Sequence, residues 1–188
     1  YGDRTVLRFT TIIWNIGDTD YYIGPAPSGG GEFEGQTSAG DQFTWAECHQ
    51  HWHHEGYADY RVFDMQGNPV ESGNKNGFCV MDYGACIEGS TQQYNCSNMG
   101  ITAGCSDTYW AGLDCQFVDI TDLPDGDYQL IVRVNWDETP TLNGIDEVTY
   151  DNNWASACFT KSEGSASVFS LDCGDPWLDC AGVPFGSA

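Results

Sequence analysis

Cationic side chains are what this chain most lacks. Lysine and arginine together number 6 against 28 aspartates and glutamates, a formal net charge of −22. Lys75 and Lys161 are its two lysines. Gripping a phosphate backbone takes a basic patch, so nucleic acid is excluded as a partner. Such a surface draws cations instead: calcium, amines, basic proteins. A salt-adapted or merely well-solvated surface has the same composition, so acidity alone assigns no function. No apolar run is long enough for a membrane span, and no secretory leader stands at the start. CxxC pairs are also missing, which argues against zinc-ribbon and thioredoxin-type sites. Strong helix formers are few beside 23 glycines and many Thr, Asn and Asp, which disfavours a helical protein.

What the chain does have is cysteine: nine in 188 residues. Dispersed cysteines in an acidic, Gly-rich chain imply disulfides and an oxidising compartment, so the expected location is extracellular or the cell surface, with any targeting segment removed. An odd number leaves one thiol over. The length fits one domain over residues 1–188. Taken in order, residues 4–16 read as a strand and 21–23 as a short second one. Residues 24–42 read as a loop. Residues 43–64 carry a histidine-bearing strand and, across a turn at 55–57, a partner strand at 60–64. Residues 72–108 read as irregular and disulfide-stapled. Strands follow at 116–120, 128–135 and 154–160, with an acidic loop at 146–153. Residues 162–188 read as an irregular C-terminal extension anchored by Cys173 and Cys180. The expected fold class is mainly β: a single β-sandwich core with long disulfide-stapled loops.

All four histidines fall in Cys48-His49-Gln50-His51-Trp52-His53-His54. His49, His51 and His53 alternate, and on a strand alternate side chains leave one face. Three imidazoles on one side of one element make a transition-metal site, and imidazole suits copper, zinc, iron and nickel. Three neutral imidazoles with an open position also describe catalytic zinc. His54 breaks the alternation and is expected to face the other way.

The stretch from Trp45 to His53 resembles the copper-binding strand of the lysyl oxidase family. The likeness continues through Lys75-Asn76-Gly77-Phe78-Cys79 and Gly104-Cys105-Ser106-Asp107-Thr108-Tyr109. It extends through Asp114-Cys115-Gln116-Phe117-Val118-Asp119-Ile120-Thr121-Asp122 and Pro124-Asp125-Gly126-Asp127-Tyr128 to Tyr150-Asp151-Asn152-Asn153. Residues from about 5 to 160 take part, in the family's order, and compact size and acidity suggest a microbial-type member.

The resemblance implies copper on His49, His51 and His53. It implies that Lys75 and Tyr109 fuse into a lysine tyrosylquinone, which oxidises primary amines, including peptidyl lysine, to aldehydes. Dioxygen is the oxidant, and hydrogen peroxide and ammonia are released. A general base is required, and Asp59 stands where the family's vertebrate members have a histidine proposed for that role; Glu55 is the alternative. The family's disulfides map onto Cys48–Cys96, Cys79–Cys86, Cys105–Cys115 and Cys158–Cys173, with Cys180 left over. Glu147, Asp151, Asn152 and Asn153 resemble a calcium loop. Implied partners are primary-amine or lysine-bearing protein substrates, with no nucleic acid and no membrane span. The rival reading is a non-catalytic structural or adhesive extracellular module that retains a metal site and self-associates or assembles with other chains.

Overall fold

Thirteen strands and no helix make up the described residues. The structure is a computed structural model that describes residues 4–32, 42–47, 49–73, 77–135, 147–171 and 173. Cys48, Lys75 and Cys180 therefore lie outside the described residues.

The centre of the molecule is β11 (Gly126–Val134), whose β-branched and aromatic run favours a strand. It pairs antiparallel with β6 (Ala58–Asp64) on one side and β12 (Trp154–Ser162) on the other. β7 (Pro69–Ser72) and β13 (Ser165–Ser170) complete a five-stranded sheet in the order β13-β12-β11-β6-β7. Alternation divides each strand between two faces. Tyr60, Val62, Tyr128 and Leu130 join the main apolar cluster, which leaves Asp59, Arg61, Phe63, Ile131 and Arg133 on the other face.

Four two-stranded ladders contribute the rest of that cluster. β1 (Val6–Leu7) pairs with β10 (Val118–Asp119), and β2 (Thr11–Trp14) with β9 (Ser106–Tyr109). β3 (Tyr21–Pro25) pairs with β8 (Asn98–Ile101), and β4 (Phe43–Ala46) with β5 (His51–His54). The mainly β expectation holds, with corrections in detail. The expected strand over 4–16 is two strands, because its halves pair with different partners, β10 and β9. The histidine-bearing strand pairs with β4 and not with residues 60–64, which belong to the large sheet. β13 forms inside the expected irregular extension. Its turn places both Glu163 and Gly164 at positive φ, 49° and 76°, the backbone that a two-residue hairpin requires.

Among the described residues the disulfides are Cys79–Cys96, Cys86–Cys105 and Cys158–Cys173. The last is the expected one; Cys48–Cys96, Cys79–Cys86 and Cys105–Cys115 are not formed. The segment around residue 80 runs extended, bonded through the Val80 carbonyl to the Gly100 amide and through the Asp82 amide to the Tyr94 carbonyl. The Asp82 carboxylate accepts from the amides of Gln93, Tyr94 and Thr102 and from the Thr102 hydroxyl. Held straight, the segment presents Cys79 to Cys96 and Cys86 to its bridge partner Cys105. Cys105 is taken by Cys86, so Cys115 has no bond to it. Cys115 bears no disulfide.

Candidate metal centre

A hairpin sets the histidines in place. β4 and β5 pair with Ala46 opposite His51 and Thr44 opposite His53. The cross-strand pair Trp45–Trp52 packs edge-to-face at 5.5 Å and fixes that register. Residues 47–50 form the loop, closed by the His49 amide on the Ala46 carbonyl and the Gln50 amide on the Glu47 carbonyl. Gln50 takes φ 55°, a left-handed conformation. His49 is thus a turn residue, and the alternating-strand argument holds only for His51 and His53. The left-handed step at Gln50 brings the third ring round to the other two.

The three rings converge. His53 Nε2 lies 3.1 Å from His51 Nε2 and 3.2 Å from His49 Nδ1. Ligand nitrogens at about 2.0–2.1 Å from one metal ion stand roughly 3–3.4 Å from each other, so the spacing fits. His53 is 9% exposed, and its two partners are more open to solvent. His54 turns the other way, with Nδ1 at 3.2 Å from the Gln42 carbonyl and its ring toward Phe43 and Tyr57.

The segment from Gly77 to Cys79 links this hairpin to Tyr109. Phe78 bridges to the backbone of His54, and its ring packs edge-on against Tyr109 at 4.8 Å. The sulfurs of Cys79 and Cys96 come within 4.8 Å of a His51 ring nitrogen. The Tyr109 hydroxyl, on a residue 6% exposed, donates to the Cys79 carbonyl at 3.1 Å and to Asp107 Oδ2 at 2.5 Å. Burial and the facing Asp107 push the Tyr109 phenol well above its ordinary range. Burial also raises the Asp107 carboxyl to about 7, against the lowering pull of the Tyr109 hydroxyl and the Met81 amide.

Gly77, two residues beyond Lys75, packs directly on Glu55 and His53. A Cβ there would fall 2.9 Å from His53 Cβ and closer still to the Glu55 carboxylate. Glu55 follows His51 and His53 at two-residue spacing and is exposed at the turn, and partial desolvation raises its carboxyl while a Thr44 bond lowers it. Gly77→Ala is expected to displace Glu55 and the hairpin, lowering copper affinity about tenfold or more, the range for disturbed metal surroundings. Copper titration of the variant beside the parent checks this.

Asp59 is not brought to this site. Its Oδ2 accepts from Arg61 Nε at 2.7 Å and from Arg133 Nε and NH2 at 3.0 and 2.7 Å. It lies on the face opposite Tyr60, the ring that packs on Phe78. Glu147 accepts from the side-chain amides of Asn135 and Asn153, while Asp151 and Asn152 are exposed. The second lysine, Lys161, is 6% exposed and donates to the Leu123 and Thr121 carbonyls. A groove of about 760 Å³ lies elsewhere, lined by Ile12, Trp14, Tyr57, Val132 and Glu147 among others, and includes none of the imidazoles. Sequence reasoning passed over Asp107, although it stands inside a quoted motif; a buried carboxylate next to a tyrosine on an extended strand has no periodic signal of its own.

Known proteins are similar to this chain in sequence. The lysyl oxidase family matches residues 1–173. Lysyl oxidase homolog 4 of Homo sapiens is 35% identical over 170 residues, which is 87% of this chain and 20% of that protein. Lysyl oxidase homolog 2A of Danio rerio is 36% identical over 156 residues, 80% of this chain and 18% of that protein. The chain therefore spans about a fifth of the length of these relatives.

Proposed function

Because the chain belongs to the lysyl oxidase family, we propose that it is a secreted, copper-dependent amine oxidase. Its substrates are primary amines, lysine-bearing proteins among them. The products are an aldehyde, ammonia and hydrogen peroxide, with dioxygen as the electron acceptor. The convergence of His49, His51 and His53 carries this reading, since the donor set and the 3.1 and 3.2 Å spacings suit one first-row transition ion. Copper there supplies redox chemistry with dioxygen, and a lysine tyrosylquinone made from Lys75 and Tyr109 supplies the electrophile for amines.

The chain's own residues have separate tasks. The three imidazoles hold the metal. Tyr109 is fixed in orientation by two hydrogen bonds and by Phe78. Lys75 is the cofactor lysine, and Lys161, the other one, is committed to backbone carbonyls. Glu55, on the imidazole side of the hairpin, takes the place of Asp59 as the carboxylate that receives a proton from the substrate; two guanidiniums hold Asp59 elsewhere. The acidic surface draws cationic amines over long range, more strongly at low salt. Three disulfides suit an extracellular location. Among the described residues, no helix is long and apolar enough to cross a membrane.

The decisive experiment loads the protein with copper in air and maps its peptides by mass. A Lys75–Tyr109 cross-link together with a phenylhydrazine adduct supports the oxidase. Unmodified Tyr109 in protein that holds copper stoichiometrically would sink it and favour a structural module.

A further inference from the structure

We propose that Asp107 is the base that accepts the phenolic proton of Tyr109 when that ring is converted into the cofactor. The proposal rests on the amine-oxidase reading above. The step moves one proton: the Oη–H bond of Tyr109 breaks and an O–H bond forms on Asp107 Oδ2. Asp107 is neither oxidised nor reduced, and the electrons of the ring leave to copper and dioxygen.

The geometry is built for this transfer. Tyr109 Oη and Asp107 Oδ2 are 2.5 Å apart, within the range of charge-assisted O–H···O bonds. The Met81 amide donates to the same oxygen at 3.1 Å and fixes the carboxylate on the phenol. Asp107 is 0% exposed, so water does not compete for the proton. Among the described residues, its second oxygen, Oδ1, has no hydrogen-bond partner. A buried carboxylate with one idle oxygen is costly as an anion. It is a far better proton acceptor than a solvated one.

The surroundings strengthen the point. Asp107 and Tyr109 stand two apart on β9, and β2 pairs beside them with Ile13 and Thr11 in register. The titratable groups facing Asp107 are Tyr109, Tyr57, Tyr60 and Asp82. None is a cation, and among the described residues no lysine or arginine forms an ion pair with it. Among the described residues, the groups that lower its carboxyl are Tyr109 and two backbone amides. Its carboxyl accordingly titrates at about 7, poised for proton exchange near neutrality. Tyr109, buried and facing that anion, does not ionise unaided. A phenol that must lose its proton in a dry site needs an acceptor within reach, and Asp107 is in contact with it.

A purely structural role would use the same hydrogen bond, so the test separates the two. Asparagine keeps a carbonyl oxygen for Tyr109 and Met81 but takes no proton. Apo-protein of the parent and of Asp107→Asn is given copper in air, and quinone absorbance, phenylhydrazine adduct and copper content are followed. We expect equal copper content and quinone formation slowed about a hundredfold or more in Asp107→Asn, the usual loss with a general base. The parental rate should rise with pH and level off above about 7, and the variant should lose that rise. Asp107→Glu should restore part of the rate. Parental rate and pH profile in Asp107→Asn would overturn the proposal. Copper-loaded parent that never forms quinone would overturn the amine-oxidase reading itself, a different result. If Asp107→Asn does not fold, carbon-13 NMR of Asp107 in the parent and in Tyr109→Phe gives a second reading. The shared proton predicts an Asp107 midpoint raised by about a unit or more in Tyr109→Phe; an unmoved midpoint overturns the coupling.

Discussion

His53→Ala is expected to lose stoichiometric copper, and amine oxidation with it, while the hairpin stays folded. His53 Nε2 is the vertex of the triad, at 3.1 and 3.2 Å from the ring nitrogens of its partners. Removing it leaves two ligands that no longer share a neighbour. Disturbing a group that merely orients a metal ligand costs about 10–100-fold in affinity, so deleting the ligand itself should cost more than about a hundredfold. His51→Ala should follow the same pattern, because its ring shares the same short contact. The hairpin survives because its register depends on Trp45 and Trp52, whose indoles pack on each other, with Trp52 also donating to the Gly29 carbonyl. The control is His54→Ala. This histidine is next in sequence, but its ring faces Gln42, Phe43 and Tyr57, so copper should be retained. Metal analysis and copper EPR on the three variants, with thermal denaturation alongside, read these outcomes. Unit copper in His53→Ala, or its loss in His54→Ala, would mean that the converging rings are not the metal site.

Much of this site was legible before any coordinates. Four histidines within six positions have no bland explanation, and the strands rich in Val, Ile, Tyr and Phe announced themselves by composition. What escaped were features that depend on chain path. Alternation placed His49 on a strand, whereas a left-handed Gln50 in a turn brings it to the others. Glutamine carries no turn signature comparable to Asn-Gly or Gly-Gly, so the pattern could not reveal this. The same holds for Glu163-Gly164, whose positive φ angles make β13 possible in a stretch that reads as irregular. Cysteine pairing failed for a related reason. The family resemblance implied a short Cys79–Cys86 loop, but the hydrogen bonds of Asp82 hold that stretch extended and hand each cysteine to a distant partner.

Asp59 shows the opposite hazard. Its position relative to the metal-binding stretch made it a candidate base, yet strand parity decides which face a residue serves. Tyr60 points to Phe78 and the core, so Asp59 points away, opposite Arg133 in the β6–β11 register. There it pairs with two guanidiniums, Arg61 and Arg133, in a chain that has only 6 lysines and arginines. The carboxylates that matter are those whose backbone parity or turn geometry turns them inward. Asp107 does so beside Tyr109, and Glu55, though exposed, lies against Gly77 next to His53.

Tyr109→Phe should abolish the quinone, the phenylhydrazine adduct and the cross-link to Lys75, and leave copper binding intact. The change removes one hydroxyl and keeps the ring that Phe78 packs against at 4.8 Å, so the core persists. The lost hydroxyl served the Asp107 carboxylate at 2.5 Å and the Cys79 carbonyl at 3.1 Å. Losing a buried bond to a charged acceptor costs about 1.5–3 kcal/mol. That cost should depend on pH, with a sign that follows from linkage. The Asp107 carboxyl titrates at about 7 when folded, above its ordinary 3.8. The folded protein thus holds this proton more tightly than the unfolded chain. Its contribution is full in acid and is lost as pH rises through about 7. Without the Tyr109 hydroxyl the anion loses its best donor and has only the amides of Met81 and Thr108 left, with Asp82, Tyr57 and Tyr60 unable to neutralise it. The carboxyl should then rise further. Destabilisation by Tyr109→Phe should therefore be larger at about pH 8, where Asp107 is charged, than at about pH 5, where it is neutral in both proteins. Urea denaturation of parent and variant at the two pH values measures this difference. An equal loss at both would mean that the phenol does not stabilise the ionised form of Asp107.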